Sequence, residues 1–532
     1  GNIYSEDGDL LATSLAYFEL RWDATVATEE LIRSEIDSLA LLMSRFFGDA
    51  SRSDHRRQLL EARRAGNRYY LIRRKVTYHE LQEIRSWPVF RNGRYRGGLI
   101  ALQSNKRNLP YGMLAHRTIG YARNEQGAQS VGLEASFNEQ LAGRDGKRLM
   151  QRISGGTWMP LNDDNEIEPT NGLDLLTTVN VNIQDVSEKA LLGALIRHDA
   201  QNGCVIVMEV KSGKIKAIAN LGKMADGSYW ERYNYAIGES AEPGSTFKLA
   251  TMLALLEDDL VKLDDEVDIG NGKFRYYDRI MRDAEAHDHG VISVRHAFEI
   301  SSNVGISKLA YEHYSRQPEK FVKHLKKAGI LRQSGIRLPG EGIPFVREPG
   351  DLGWSAVSIP WMSVGYEVRL TALQLLTFYN AIANEGLRVA PYLVRELQAF
   401  GKTVSSFGPP EPDERICSRS IARQLKSLLE GVVESGTARN IRSDSYKIAG
   451  KTGTALIADQ KNGYRNIYRA SFVGYFPAND PVYSCIVVVN EPSRGVYYGS
   501  HVAAPVFREI ADKTYANCLD LQEIGEADRQ KE

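Results

Sequence analysis

AEPGSTFKLATMLALLE (residues 241–257) joins a Pro-Gly-Ser turn to an apolar run of helical character. A serine at a helix start ordinarily caps exposed backbone N–H groups. A second reading comes from the lysine three residues on. Residues i and i+3 share one helix face, so Ser245 and Lys248 stand about one turn apart, with the hydroxyl at the positive end of the helix dipole. A hydroxyl beside an amine is a nucleophile with its base. At average usage, Ser-x-x-Lys arises by chance about once or twice in a chain this long, and here it occurs only at Ser245. The spacing alone does not choose between cap and active site.

Working outward, CVIVMEVKSGKIKAIAN (residues 204–220) reads as two strands around Lys211-Ser212-Gly213, a hairpin signal. On the other side, YKIAGKTGTALI, YRASFVGYFPA and VYSCIVVVN follow in close succession, and short connections favour antiparallel pairing. A last amphipathic segment, APVFREIADKTYANCL, predicts a helix. Two strands, a helical block, three strands and a helix predict an α+β fold. Its core is a five-stranded antiparallel sheet flanked by helices, with a helical insertion between the second and third strands. Before residue 165 the texture differs: an amphipathic helix in TEELIRSEIDSLALLMSRFFG, then Arg- and Tyr-rich extended stretches. The polar PLNDDNEIEPTNG reads as a linker.

Two further motifs strengthen the sharper reading of Ser245. Ser301-Ser302-Asn303 lies 56 residues after Ser245, and Lys451-Thr452-Gly453-Thr454 lies on the third predicted strand. Alone, the first reads as a helix cap and the second as an edge-strand lysine with a bulge glycine. In this order the three match Ser-x-x-Lys, Ser-x-Asn and Lys-Thr-Gly, an acyl-transfer set. The chemistry assigns each residue type. Ser245 is the expected nucleophile, and Lys248 its base, kept neutral by desolvation and by the charge of Lys451. Ser301 is expected to relay a proton. Asn303 is expected to hold both Lys248 and a substrate amide. Gly453 lets the strand approach substrate closely, Lys451, Thr452 and Thr454 meet a substrate carboxylate, and the Ser245 and Thr454 N–H groups form the oxyanion hole. Ser302 completes the expected binding set.

Bulk properties set limits. The 532 residues are 42% hydrophobic and 25% charged with zero formal net charge, so no global field argues for nucleic acid. Between Arg52 and Arg107 fifteen Lys/Arg face four Asp/Glu, which reads first as a salt-bridged surface. No run of 18 apolar residues occurs, and the opening GNIYSEDGDLLATS, with neither a basic nor an apolar region, is not expected to be a signal peptide. Cys204, Cys417, Cys485 and Cys518 have no metal spacing. His287-Asp288-His289 reads as a polar loop rather than a metal site, and His501 as a surface or packing histidine. No phosphate loop appears, and neither cofactor nor metal is expected.

With these motifs on the page, the whole chain resembles the class B penicillin-binding proteins, monofunctional peptidoglycan D,D-transpeptidases. IYSEDGDLLATS, PYGMLAHRTIGYA and GLEASFNEQLAGRDG are similar to stretches of that family's N-terminal half. NGLDLLTTVNVNIQDVSEKAL, TALQLLTFYNAIANEG, AGKTGTA, ASFVGYFPANDP and YYGSHVAAPVF are similar to stretches of its catalytic half. Ser500, Glu367 and Ala372 depart from the usual pattern, standing where Gly, Gly and Pro are common.

The resemblance implies a pedestal for dimerisation or partner binding (1–165), a penicillin-binding, serine β-lactamase-like transpeptidase domain (172–518) and a charged tail (519–532). It implies cross-linking through an acyl-enzyme on D-Ala-D-Ala stem peptides, with an amine of a neighbouring stem as acceptor. It also implies covalent inhibition by β-lactams and an N-terminal membrane anchor with the catalytic domain outside the cytoplasmic membrane. A membrane glycan polymerase and other division proteins are the implied partners, since the C-terminal stretches look more like the division type than the elongation type. Two rival readings are a serine β-lactamase, for which no Glu-x-x-Leu-Asn segment is apparent, and a non-catalytic β-lactam sensor or division scaffold.

Overall fold

The computed structural model describes the chain except residues 123–129, 145–149, 153–157, 161–169, 286–289, 409–410, 412–414, 460–462 and 518–532. His287-Asp288-His289, Cys518, the tail and most of the expected linker therefore lie outside the described residues. Compactness divides the chain into Ala12–Pro110 and a larger unit of Gly1–Leu11 with Tyr111–Glu532. The second unit thus takes up sequence on both sides of the boundary expected near residue 165. One cause is a strand pairing that sequence texture does not reveal: Ile3–Tyr4 runs parallel to Asp174–Thr177, which pairs antiparallel with Val394–Ala399.

In the smaller unit, strand β1 (Leu10–Trp22) pairs with β2 (Tyr70–Val76) and β3 (Leu99–Asn108). Helix α1 (Glu29–Phe47) is the predicted amphipathic helix: Thr28 caps its start, and Gly48 ends it in the left-handed conformation. Its buried face, Ile32, Ile36, Leu39 and Met43, joins Trp22, Trp87 and Phe90 in one core. Helix α2 (Arg52–Arg64) opens the basic stretch. Several of its charges are paired, Arg56 with Asp37 at 2.9 Å, Arg57 with Asp54 at 2.7 Å and Arg73 with Asp49 at 2.6 Å, as a salt-bridged surface requires.

The larger unit holds the predicted antiparallel sheet. Helix α3 (Val181–His198) leads into β4 (Asn202–Glu209) and β5 (Ile215–Lys223), the expected hairpin. The two-residue β6 (Tyr229–Trp230) adds an edge that the sequence reading lacked. The insertion follows: helix α4 (Lys248–Glu257), a hairpin of β7 (Lys273–Tyr276) and β8 (Arg279–Arg282), then helices α5 (Val294–Glu299), α6 (Asn303–Tyr314), α7 (Ala372–Ala383) and α8 (Arg419–Glu434). Strands β9 (Ala449–Asp459), β10 (Gly463–Phe476) and β11 (Tyr483–Asn490) and helix α9 (Ala504–Ala516) complete it. The six strands run in the order β6-β5-β4-β11-β10-β9. The third strand of the motif thus returns as the far edge.

Both sheet faces are covered. Phe472 of β10 stacks edge-on against Phe507 of α9 at 4.8 Å, and its cross-strand partner on β11 is Val487. Ser484, of the opposite parity on β11, donates to Asn380 of α7 at 2.7 Å, which puts α7 on the other face. Burial on both faces is why these strands read as unbroken apolar runs rather than alternating ones, and Tyr483 to Asn490 is buried throughout. Cys204, Cys417 and Cys485 are buried free thiols, and burial pushes each above its ordinary range.

Candidate active site

Ser245 sits in a single 3-10 turn, Gly244–Phe247, continuous with α4. Gly244 at φ +58° lets the chain enter that turn in a left-handed conformation. The Thr246 hydroxyl donates to Pro243 O at 2.8 Å, and Tyr379 of α7 donates to Thr246 O at 2.7 Å, anchoring the turn to the core. The next turn directs Lys248 inward, where it is wholly buried. Its ammonium nitrogen donates to Ser301 O at 2.5 Å and meets Ser301 Oγ at 3.1 Å.

Edge strand β9 lies beside this turn. A Cβ on Gly453 would come within 2.9 Å of Thr246 Cγ2 and 2.3 Å of Ser471 Oγ, and one on Gly244 within 2.9 Å of Ala455 Cβ. Gly453 opposite Thr246 and Ala455 opposite Gly244 bring Thr454 alongside Ser245. The Leu456 N–H donates to the Tyr366 hydroxyl and so points out of the sheet edge. The two-residue period of the strand turns the Thr454 N–H to the same edge of the sheet. Glycine at 453 is thus required by the protein's own packing, and the register shift of this strand lies between Leu456 and Ala458.

Lys451 is also wholly buried. Its amine donates to Thr452 O at 3.3 Å and lies 5.8 Å from the centre of the Phe298 ring. Burial holds both lysines down, Lys248 to about 7 and Lys451 well below the ordinary lysine range, and the charge of Lys248 depresses Lys451 further. The expected direction at Lys248 is therefore present, with desolvation as its cause. Asp283 opposes it by favouring the charged form.

Ser301-Ser302-Asn303 divides its labour. Ser301 occupies φ +62°, a left-handed conformation that costs a non-glycine residue about 1–2 kcal/mol, and faces Lys248. Ser302, expected to bind substrate, is fully buried instead. It caps α6 by accepting from Gly305 N at 2.9 Å and donates to Asp283 at 2.8 Å. Asn303, expected to hold Lys248, donates through Nδ2 to Arg282 O at 2.7 Å. Thr452 Oγ1 shares a 2.8 Å hydrogen bond with Thr437 Oγ1, and Thr454 Oγ1 accepts from Gly499 N at 3.0 Å. Sequence reasoning missed Asp283, Thr437, Tyr366 and Phe298: the first three lie outside the three motifs, and Phe298, three residues before Ser301, reads as an ordinary apolar helix residue.

The departures also have places. Glu367 takes φ +59°, where glycine carries no steric cost. Ala372 is the first residue of α7, where proline fits. Ser500 lends its carbonyl to Asn440 Nδ2 at 2.7 Å, and its hydroxyl lies 3.0 Å from His501 Nδ1.

Residues 203–512 match the family model described as the penicillin binding protein transpeptidase domain, and residues 1–177 match the penicillin-binding protein dimerisation domain. The chain belongs to the penicillin-binding protein transpeptidase family. Its two matched domains give it the architecture of the class B peptidoglycan D,D-transpeptidases.

The chain is 31% identical to penicillin-binding protein PbpB of Mycolicibacterium smegmatis over 76% of its own length and 64% of the relative's. It is 30% identical to the probable peptidoglycan D,D-transpeptidase PenA of Neisseria gonorrhoeae over 76% of its length and 67% of the relative's. Stage V sporulation protein D of Bacillus subtilis is 27% identical over 82% of this chain and 67% of that protein. The chain thus spans about two thirds of the length of these relatives. Penicillin binding protein 2X of Streptococcus thermophilus shares the fold, with a TM-score of 0.79 at 20% identity over 98% of this chain and 80% of that one. Among the described residues no helix is long and apolar enough to cross a membrane.

Proposed function

We propose that this transpeptidase cross-links peptidoglycan stem peptides through an acyl-enzyme on Ser245, with Lys248 as general base. The observation that carries this is a fully buried amine one turn after Ser245, bonded to Ser301 and held down to about 7. At neutral pH a large fraction of Lys248 is then free to take a proton.

In the acylation step Ser245 Oγ attacks the carbonyl carbon of the penultimate D-Ala, and its proton passes to Lys248. The oxyanion forms between the N–H groups of Ser245 and Thr454. The carbon–nitrogen bond breaks, the proton returns through Ser301 Oγ to the leaving amine, and terminal D-Ala departs. The acceptor amine then attacks the ester, gives its proton to Lys248, and the new amide releases Ser245 as its hydroxyl is reprotonated. Lys451, Thr452 and Thr454 receive the substrate carboxylate, whose charge restores the Lys451 ammonium. Asn303, with Nδ2 engaged, keeps Oδ1 for a substrate amide N–H. A β-lactam acylates the same hydroxyl, and its tethered leaving group blocks the acceptor.

The C-terminal YYGS and AAPVF stretches support a role at the division septum, with a membrane glycan polymerase and other division proteins as partners. The resemblance supports an N-terminal anchor that places the catalytic domain outside the cytoplasmic membrane.

Intact-mass spectrometry after incubation with benzylpenicillin tests the site. The expected result is one long-lived adduct on the peptide bearing Ser245, absent in Ser245→Ala. An adduct on another peptide overturns the assignment, and rapid release of hydrolysed drug favours a β-lactamase.

A further inference from the structure

Asp283 follows β8 immediately, about twenty residues ahead of the Ser-Ser-Asn turn, and no motif includes it. Its carboxylate grips that turn at two points. Oδ2 accepts from the Ser302 hydroxyl at 2.8 Å and Oδ1 from the Val304 N–H at 2.8 Å. The preceding carbonyl, Arg282 O, accepts from Asn303 Nδ2 at 2.7 Å, so the end of one hairpin clasps three consecutive residues. The residue just before the clasp is Ser301, held at φ +62° with both its carbonyl and its hydroxyl on the Lys248 amine. A strained residue keeps such a conformation only when its surroundings hold it there. From the other side the turn is held by Ser301 N on Phe298 O at 3.0 Å and Ser302 N on Ala297 O at 2.8 Å.

We propose that Asp283 is the positioning residue of the general base: its two carboxylate oxygens lock the Ser301–Ser302–Asn303 turn so that Ser301 meets Lys248. The proposal rests on Lys248 being the base for Ser245.

Asp283 acts on the same lysine in a second way. Charged groups reach Lys248 from two packed elements, Asp283 at the end of β8 and Lys451 on β9. The Asp283 carboxylate favours the protonated amine, against burial. The arrangement therefore trades a little basicity at neutral pH for a fixed relay. A purely structural clamp has no such charge effect, and this separates the two roles experimentally.

The test is the second-order rate of acylation by benzylpenicillin, followed by intact mass from pH 5.5 to 9.5, in wild type, Asp283→Asn, Asp283→Ala and Lys248→Ala. Asp283→Asn keeps an acceptor for Val304 N–H but loses the charge. Its acidic limb is expected to move to lower pH, since less proton affinity remains on Lys248, and its alkaline plateau to fall by roughly tenfold, on the order of one weakened hydrogen bond. Asp283→Ala loses both contacts, and its plateau is expected to fall further, with the same shift of the limb. A plateau that stays at the wild-type level in both variants, or limbs that stay at the wild-type pH in both, overturns the proposal, whether or not the melting temperature falls. Lys248→Ala separates the two ideas: undiminished acylation there overturns Lys248 as base, and with it any positioning of that base.

Discussion

Ser301, Ser302 and Asn303 are adjacent letters with unrelated jobs. Ser302 behaves as the ordinary helix cap that its residue type suggests, while Ser301, one position earlier and in a left-handed conformation, turns its oxygens to Lys248. The motif assigned the relay to Ser301, but the φ angle that turns its oxygens to Lys248 is imposed by the tertiary structure. At Lys248 the sign of the pH dependence follows from burial. Its folded value, about 7, lies below the ordinary 10.5, so the neutral and active amine grows as pH rises through about 7. Acylation of the wild-type protein is expected to rise about fivefold from pH 6 to pH 7 along an acidic limb centred near 7. A profile flat down to pH 5 removes Lys248 as the titrating base. Gly453→Ala places a methyl group against Thr246 and Ser471. Acylation is expected to fall at least tenfold, because an ångström-scale shift of the Ser245 turn misaligns the attack, while circular dichroism stays that of the wild type.

Helix α7 shows how much of an element is local. Thr371 and Gln374 form a reciprocal capping box, Gln374 N to Thr371 Oγ1 at 3.2 Å and Thr371 N to Gln374 Oε1 at 3.0 Å. Ala372 follows at the first helical position, behind Thr371 in extended conformation at φ −76° and ψ 161°. Proline is suited to both conditions. Ala372→Pro is expected to stabilise the protein by about 0.4–1 kcal/mol, mainly by restricting the unfolded chain, and a calorimetric melt reads this as a higher Tm. Strand β9 is the contrary case. Its alternation and its Lys-Thr-Gly letters suit any edge strand, but its place at the sheet edge beside the Ser245 turn comes from a crossover through the entire helical insertion.

On the scale of the molecule, two lysines held without solvent are a cost that folding must meet. Between about pH 7 and 10.5 the unfolded chain binds a proton at Lys248 that the folded protein releases, so this group's contribution to stability rises with pH, by about 1.4 kcal/mol per unit. Lys248→Met lacks that linkage. As pH rises from 7 to 9, wild type is expected to gain stability relative to the variant, read as a converging or crossing pair of denaturation midpoints. Midpoints that keep a constant separation exclude a buried neutral lysine.

The sequence by itself determined the sheet-and-helix class, the succession of strands and helices along the catalytic half and the three motif segments, since these follow from short-range periodicity, turn chemistry and residue type. Only the tertiary structure decided that Lys248 and Lys451 share one desolvated interior, that Ser302 is a buried cap, that Asp283 grips the turn, and that residues 1–11 pack with the catalytic unit. The physical reason is range. Periodicity and capping act over a few residues, whereas desolvation and the hydrogen bonds of Lys248 to Ser301 and of Ser302 to Asp283 depend on segments brought together from distant parts of the chain.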